Sequence, residues 1–325
     1  MFNPLAVLPT NFFSIARSQD DPGLLLQTHH AAQPLEWTFG DLKIAHEHAD
    51  AGLRLYRREI HGVPALFYGD AAVCAYIHNA LLLQILGYPD RAMAQLVKGS
   101  SLARGLVHAP SLIHALWVGA ETHFLRRDLL NAAALVSEWQ SLGSDYSSSV
   151  GAANAKMLLG WTFVTMGERH SDLATLRDGI DHYRKTQPKF LAPYRLGRAV
   201  AAFLEAGEIE GGMALLAEAI LAMEAGGERW YEAELFRFKG LLLLASSIDA
   251  RAAAVACIQH AMAVARSQGA RLFKLRAAIE LSRQQYDRGQ RERGKAILTS
   301  IYGEFTEDSD TQDLKEARAL LDALA

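Results

Sequence analysis

The chain has 325 residues, of which 50% are hydrophobic and 21% charged, and its formal net charge is −3. This much apolar side chain can build a core and excludes a mainly disordered chain, while nine prolines without a Gly-X-Y period exclude a fibrous one. The slightly acidic balance differs from the strongly basic surface of duplex-binding proteins, so no nucleic-acid partner is expected.

The first 21 residues predict an amino-terminal extension. Their apolar run, MFNPLAVLPTNFFSIA, lacks a basic segment and carries Pro4 and Pro9, so no signal peptide is expected. Every window of about 20 residues is interrupted by polar or charged side chains, so no membrane partner is expected. The two cysteines, Cys74 and Cys257, fit no C-x-x-C pattern, which predicts reduced thiols in a cytoplasmic protein.

Residues 22–310 repeat one helix-turn-helix pattern. Short turn signals recur near residues 40, 87, 127, 167, 207, 247 and 289, in steps of 40 to 47 residues. The flanking segments place apolar residues at helical spacing, as Leu196, Val200 and Phe203 do before the turn near 207. No run of alternating β-branched residues predicts a strand. The pattern therefore predicts an all-α protein of about seven antiparallel helix pairs.

Small residues recur at fixed distances from these turns. Ala120, Gly160 and Gly240 stand seven residues before a turn, and Ala92 and Ala132 stand five residues after one. Such positions let paired helices approach closely, which is typical of tetratricopeptide (TPR) repeats, whose period is about 34 residues. The sequence predicts a TPR-like, right-handed superhelical solenoid with a concave face lined by the first helix of each pair. A helical bundle without a superhelix is the alternative.

Two segments depart from the regular repeat. The connection between Arg57 and Asp70, RREIHGVPALFYG, lengthens the first step to 47 residues and is either a functional loop or structural slack. Residues 311–325 predict a carboxyl-terminal capping helix, with Asp310 or Thr311 at its amino terminus and leucines covering the last pair.

Two segments of the sequence resemble a known protein family. GGERWYEAELFRFKGLLLL (Gly226–Leu244) and YGEFTEDSDTQDLKEARALLDAL (from Tyr302) closely resemble the carboxyl-terminal TPR-like repeats of bacterial adenylate/guanylate-cyclase-linked P-loop ATPase signalling proteins. The resemblance covers residues 22–325 and implies a sensory or protein-binding role in bacterial signal transduction. The chain has no G-x-x-x-x-G-K-[ST] cradle and no cyclase domain, so the resemblance implies neither activity here. Whether the chain is an independent protein or part of a larger one stays open.

A TPR superhelix turns the side chains about 13, 10, 6 and 3 residues before each turn towards its groove. These offsets collect aromatic, amide, imidazole and guanidinium groups, which suit a peptide or a small polar ligand. The predicted groove residues are His30, Trp37, His114, Trp117, Glu121, Asn154, Trp161, Tyr194, Glu234, Arg237, Arg276 and Arg283.

The sequence also predicts how this groove works. Trp117, Trp161 and Tyr194 come from consecutive repeats and are expected to share one wall. The arginines of the last two repeats are expected to be solvated and to make that end of the wall positive, so that an acidic or carboxylate-bearing segment docks there. Glu234 and Arg237, three residues apart, predict a local ion pair. The GERWYEAEL run is either a structural start for the sixth pair or a direct ligand contact.

Twelve histidines raise the question of a metal site. His29 and His30 diverge on a helix, and His46 with Asp50 provides only two ligands, so neither a metal nor another cofactor is expected.

No nucleophile elbow or meaningful Ser/His/Asp spacing is present. The sequence favours a non-catalytic binding, scaffold or sensory protein. An enzyme acting on a small polar substrate in the groove and a small-molecule sensor remain alternatives, and the ligand and oligomeric state stay open.

Overall fold

The structure is a computed structural model that describes residues 8–61, 69–142, 149–166, 169–186, 190–307 and 310–324. Within these ranges the chain forms seventeen α-helices and no strand, as predicted. The helices are α1 (Leu8–Ser18), α2 (Pro22–Phe39), α3 (Leu42–Leu55), α4 (Arg58–His61), α5 (Ala71–Leu86), α6 (Pro89–Gly105), α7 (Ala109–Leu125), α8 (Leu129–Leu142), α9 (Ser149–Met166), α10 (Arg169–Thr186), α11 (Ala192–Glu205), α12 (Ile209–Gly226), α13 (Glu232–Ser246), α14 (Arg251–Gln268), α15 (Arg271–Tyr286), α16 (Arg291–Tyr302) and α17 (Gln312–Ala323).

Seven antiparallel helix pairs form a TPR-like right-handed solenoid, which confirms the predicted fold class. The pairs are α2/α3, α5/α6, α7/α8, α9/α10, α11/α12, α13/α14 and α15/α16, and α17 packs on the last of them. The predicted turn near 167 lies outside the described residues. The turn near 247 is longer than the others and includes a 3₁₀-helix, Ile248–Ala250.

The small residues at fixed offsets sit where paired helices touch. A Cβ atom on Gly160 would lie 2.6 Å from the backbone nitrogen of Leu176, and one on Gly240 would lie 2.5 Å from Cγ1 of Ile258. Both distances are shorter than real Cβ contacts, so the close approach within these pairs requires glycine. The repeat is therefore set by backbone packing.

The superhelix turns far enough for its first pairs to meet its last ones. The backbone nitrogen of Arg229 donates to Thr38 O at 2.8 Å, and the rings of Trp37 and Trp230 lie 5.1 Å apart. Further along the same seam, Arg276 donates to the carbonyl of Leu125 at 2.6 Å. The GERWYEAEL motif thus has a structural role, because it closes the first pair onto the sixth.

Closure leaves helix α5 in the middle of the molecule. All of its residues except Tyr76 are buried, including polar His78, Asn79 and Gln84. A helix that is apolar on every side is typical of a fully enclosed position. The concave face was expected to be an open groove, and this expectation is wrong for the first three pairs, where the opposite side of the superhelix fills the space.

The segments outside the pairs are helical too. Helix α1 places the Phe13 ring 4.8 Å from the ring of His29. The long connection after Arg57 contains α4, while residues 62–68 lie outside the described ranges. Of the two predicted caps of α17, Thr311 fills the position, since its hydroxyl accepts from Leu314 N at 3.4 Å. None of the described helices is both long and apolar enough to cross a membrane.

Candidate functional site

The inner face of the first three pairs is packed with imidazole and indole rings. This cluster, the histidine layer, consists of His30, Trp37, His78 and His114. The Nε2 atoms of His78 and His114 lie 2.9 Å apart, which requires one ring to donate to the other, and Trp37 lies 5.8 Å from His78 between ring centres. All four side chains are buried, so the layer is core rather than a ligand groove.

Burial keeps these imidazoles neutral. It lowers the pKa of His30 to about 4, with Asp70 opposing the shift, and that of His114 to about 3, with a contribution from His30. The pKa of His78 lies well below its usual value for the same reason, reinforced by the two neighbouring rings. No described group of three or more His, Cys, Asp or Glu side chains could hold a metal ion.

A buried carboxylate sits beyond the histidine layer. Glu121 accepts from Tyr194 Oη at 2.6 Å and from Trp117 Nε1 at 3.1 Å, and it pairs with Arg198. Glu121, Tyr194 and Arg198 are nearly inaccessible to solvent. These contacts tie α7 to α11 across one intervening pair, so this part of the predicted groove is a structural core.

Beyond Tyr194 the inner face opens into a cavity of about 420 Å³, which we call the inner chamber. The first helices of the third to seventh pairs surround it, and α17 closes one side. Its lining includes Phe124, Leu125, Arg127, Leu129, Trp161, Thr165, Tyr194, Arg198, Ala201, Leu204, Glu205, Tyr231, Glu234, Arg237, Phe238, Leu241, Arg276, Ile279, Glu280, Gln312, Asp313 and Glu316.

The arginines of the inner chamber are already neutralised. Glu234 receives Arg237 at 2.6 Å and Arg276 at 3.1 Å, and Arg276 also reaches Asp313 at 2.9 Å. Burial alone would raise the pKa of both carboxyls, but the arginines outweigh it and hold each pKa below its usual value. Four arginines and five carboxylates line the chamber, so the predicted positive, solvated wall is wrong.

Two buried donors in the chamber lack a partner. The indole N–H of Trp161 and the Nε–H of Arg198 make no hydrogen bond with any described group. Both pack on Phe124: the Trp161 ring centre lies 3.9 Å from that of Phe124, and Arg198 Cζ lies 4.9 Å from it. Both donor atoms are buried, and a ligand oxygen placed against them beside the Phe124 ring would satisfy them.

The predicted groove residues therefore divide into three groups. Five line the inner chamber: Trp161, Tyr194, Glu234, Arg237 and Arg276. Five more are buried outside the inner chamber: His30, Trp37, His114, Glu121 and Asn154. The remaining two are Trp117, which is half-buried, and Arg283, which lies at the rim and pairs with Glu280 at 3.1 Å and Glu316 at 2.5 Å. The ion pair predicted between Glu234 and Arg237 is confirmed.

Sequence reasoning missed several chamber residues. Phe124 stands three residues before the turn near 127 and fits an assumed offset, but it was not among the predicted groove residues. Arg198 falls one position away from an assumed offset, and Asp313 belongs to the capping helix, outside the repeats to which the offsets apply. The signal available for Arg198 was its place on a helix with Tyr194, four residues away on the same face. Nothing in the repeat pattern indicated Asp313.

The sequence is similar to part of a longer bacterial protein. No model of a known protein family matches the chain. Uncharacterized protein R02095 of Rhizobium meliloti (strain 1021) is 24% identical over 266 residues, which cover 81% of this chain and 26% of the relative. The chain thus spans about a quarter of the length of that relative.

Two solved structures superpose on most of the chain. A Rap protein, solved in complex with Competence and Sporulation Factor, superposes with a TM-score of 0.58 at 11% identity, over 91% of this chain and 87% of that one. Yeast Tom70 superposes with a TM-score of 0.48 at 13% identity, over 98% of this chain and 58% of that one. The Rap likeness supports the TPR-like solenoid.

Proposed function

We propose that this protein works by binding, and that a short peptide or another polar ligand docks in the inner chamber. The observation that carries the proposal is the pair of unpartnered donors, Trp161 Nε1 and Arg198 Nε, in the chamber wall. A buried donor without an acceptor costs about 1–3 kcal/mol, so a ligand carboxylate or carbonyl oxygen placed against them recovers that free energy.

The size and lining of the chamber fit such a ligand. Its volume of about 420 Å³ falls in the range of about 300–1,000 Å³ that is common for ligand pockets. Phe124, Phe238 and Leu241 provide apolar surface, while Glu280 and Glu316 at the rim are shared with one arginine. The ligand oxygen therefore goes to Trp161 and Arg198 rather than to Arg276, whose guanidinium already makes four hydrogen bonds within the protein.

We further propose that this binding serves bacterial signal transduction. The GERWYEAEL and FTEDSDTQDLKEARALLDAL motifs support this role through their resemblance to the repeats of cyclase-linked ATPases. The match to about a quarter of R02095 fits a repeat module that occurs within longer proteins. The similar fold of a Rap protein, which was solved with Competence and Sporulation Factor, supports a factor-binding role for the solenoid.

The proposal is tested with peptides selected on the protein itself. A random hexapeptide library is passed over the immobilised chain, and an enriched peptide is labelled and titrated by fluorescence anisotropy. Trp161→Phe removes one chamber donor and keeps a ring, so we expect about fivefold weaker binding, equivalent to about 1 kcal/mol.

Trp139→Phe is the matched control, because Trp139 is equally buried but lies on α8 away from the chamber. It should bind the peptide like the unmodified chain. Equal affinity of all three proteins, or no enrichment of any peptide, contradicts the proposal. Thermal unfolding of each variant shows whether a loss of binding reflects a loss of fold.

A further inference from the structure

A second cavity, of about 400 Å³, lies outside the inner chamber at the seam where the superhelix closes. We call it the seam cleft. Its lining comes from two sides of the seam. One side is α3, the turn near 87 and the start of α6, and the other is the end of α14, the start of α15 and Glu304, which follows α16. The lining residues are Lys43, His46, Glu47, Leu86, Tyr88, Arg91, Ala265, Arg266, Gly269, Arg271, Lys274 and Glu304.

The seam cleft concentrates positive charge in a chain whose net charge is −3. Five cationic side chains face two carboxylates there. One carboxylate, Glu304, is held by Lys274 at 2.5 Å. Lys43, Arg91, Arg266 and Arg271 form no ion pair with any residue that the structure describes. With five cations against two carboxylates, the cleft keeps an excess of positive charge, which favours an anion.

Two of the guanidinium groups are held in place by one aromatic ring. Arg91 Cζ lies 4.7 Å and Arg271 Cζ 5.0 Å from the centre of the Tyr88 ring. Arg271 also packs against Gly87, whose Cβ position would be only 2.9 Å from Arg271 Cβ. Guanidinium groups fixed in this way lose little freedom when they bind, and each presents paired N–H donors that match phosphate oxygens.

The amino terminus of helix α15 lies at the cleft, with Gly269 and Arg271 in its lining. Its N-cap residue, Ala270, offers no side-chain acceptor, and its first turn holds no acidic residue. Gly269 is in the left-handed region at φ 68°, and the side chain of Lys43 passes over it, with Cε 3.1 Å from the position of a Cβ. An uncapped helix amino terminus beside unpaired cations is a favourable site for phosphate.

We infer that the seam cleft binds a small molecule carrying two or more phosphates, such as an inorganic polyphosphate or a nucleotide. Several unpaired cations in one cavity match a phosphate chain better than a single carboxylate. The cavity is too small for a nucleic-acid duplex, and the overall charge of the chain does not favour one. The ligand bridges the first two pairs and the last two, so its binding stabilises the closed superhelix.

Isothermal titration with inorganic tripolyphosphate and, separately, with ATP tests this inference. The exposed residues Arg91 and Arg266 are replaced singly, as Arg91→Glu and Arg266→Glu, and exposed Arg293 of α16, outside the cleft, provides the control Arg293→Glu. We expect each cleft substitution to weaken both ligands about tenfold or more, the control to bind normally, and the affinity to fall with added salt. Bound ligand should also raise the melting temperature.

The two probes separate the sources of phosphate. Equal affinities mean that the phosphate chain alone is recognised, and tighter ATP binding means that the nucleoside contributes; both outcomes support the inference. No binding of either probe at millimolar concentration overturns it, as does equal weakening by Arg293→Glu. Tighter binding of polyglutamate or a short DNA duplex than of tripolyphosphate also overturns it, since the cleft would then serve an acidic protein or a nucleic acid.

Discussion

The two halves of the inner face use the same repeat register for different purposes. In the first three pairs, inward side chains meet the opposite side of the superhelix and form the histidine layer, a packed core of neutral rings. From the end of the third pair to the seventh, inward side chains surround the inner chamber, where buried ions pair with one another and two donors have no partner among the described residues. Position in the repeat decides which side chains point inward, while superhelix closure decides whether they are core or site.

The contrast also shows what the arginines do. The sequence predicts solvated arginines that wait for an acidic ligand, but Arg276 links Glu234, Asp313 and the Leu125 carbonyl and so joins α13, α15, α17 and the third pair. It stabilises the chamber wall, and the ligand-binding capacity lies in neighbouring groups.

The largest effect is expected from a substitution that breaks the ion pairs of the chamber wall. Arg276→Ala leaves the buried carboxylate of Asp313 without its main partner and removes one of the two arginines that pair with Glu234. We therefore expect the free energy of unfolding to fall by about 3–5 kcal/mol in urea denaturation. Arg283→Ala is the matched control, because its side chain is 42% exposed and its loss should cost less than about 1 kcal/mol. Equal losses for the two variants contradict a buried network around Arg276.

The pH dependence of stability separates the two halves. The folded imidazoles stay neutral while the unfolded chain takes up protons below about pH 6.5, so stability is complete above that pH and falls towards pH 4. For each histidine of the layer, the free energy of unfolding falls by about 1.4 kcal/mol for every pH unit that the pH is lowered in this window. In the chamber, the carboxyls of Glu234 and Asp313 have lowered pKa values, so their contribution to stability is lost only below about pH 4.5.

Urea denaturation at several pH values between 7 and 5 checks this prediction. His78→Gln should flatten the dependence, because it removes a buried imidazole. Leu221→Gln, at an exposed side chain that does not titrate, should leave it unchanged. A stability that stays constant from pH 7 to 5 contradicts neutral burial of the histidine layer.

Tryptophan substitutions give the smallest contrast. Trp37 is enclosed by His78 and Trp230, so we expect Trp37→Phe to cost about 1–2 kcal/mol through the cavity that it leaves. Trp161 borders the chamber, so Trp161→Phe should cost less than about 1 kcal/mol. Thermal unfolding of the two variants measures the difference, and the reverse order shows that the chamber is not open at Trp161.

The local structure was largely predictable from the sequence. Turn glycines such as Gly40 and Gly207 adopt the left-handed conformation at helix ends, and Gly160 and Gly240 sit where helices touch, because turn geometry and close packing restrict the residue type directly. These constraints act within one helix pair, and they fixed the number and order of the pairs.

The site was predictable only in part. The repeat offsets indicated that Trp161 and Tyr194 point inward, but whether such a side chain is buried depends on how far the superhelix turns over several pairs. That turn brings Asp313 to Arg276, although 37 positions separate them in the chain. It also brings Trp230 to Trp37 across a separation of 193 positions. No local pattern encodes such distances, so the filled half and the open half looked alike in the sequence.

The central claim is that the inner chamber holds the ligand, and filling the chamber tests it most directly. Leu241→Trp places a large ring in the chamber wall, while Leu221→Trp, at a side chain that is 70% exposed, adds the same ring to the outside. Fluorescence anisotropy with the selected hexapeptide should show that Leu241→Trp loses binding while its melting temperature stays close to that of the unmodified chain, and that Leu221→Trp binds normally. Normal peptide binding by a folded Leu241→Trp variant contradicts the account.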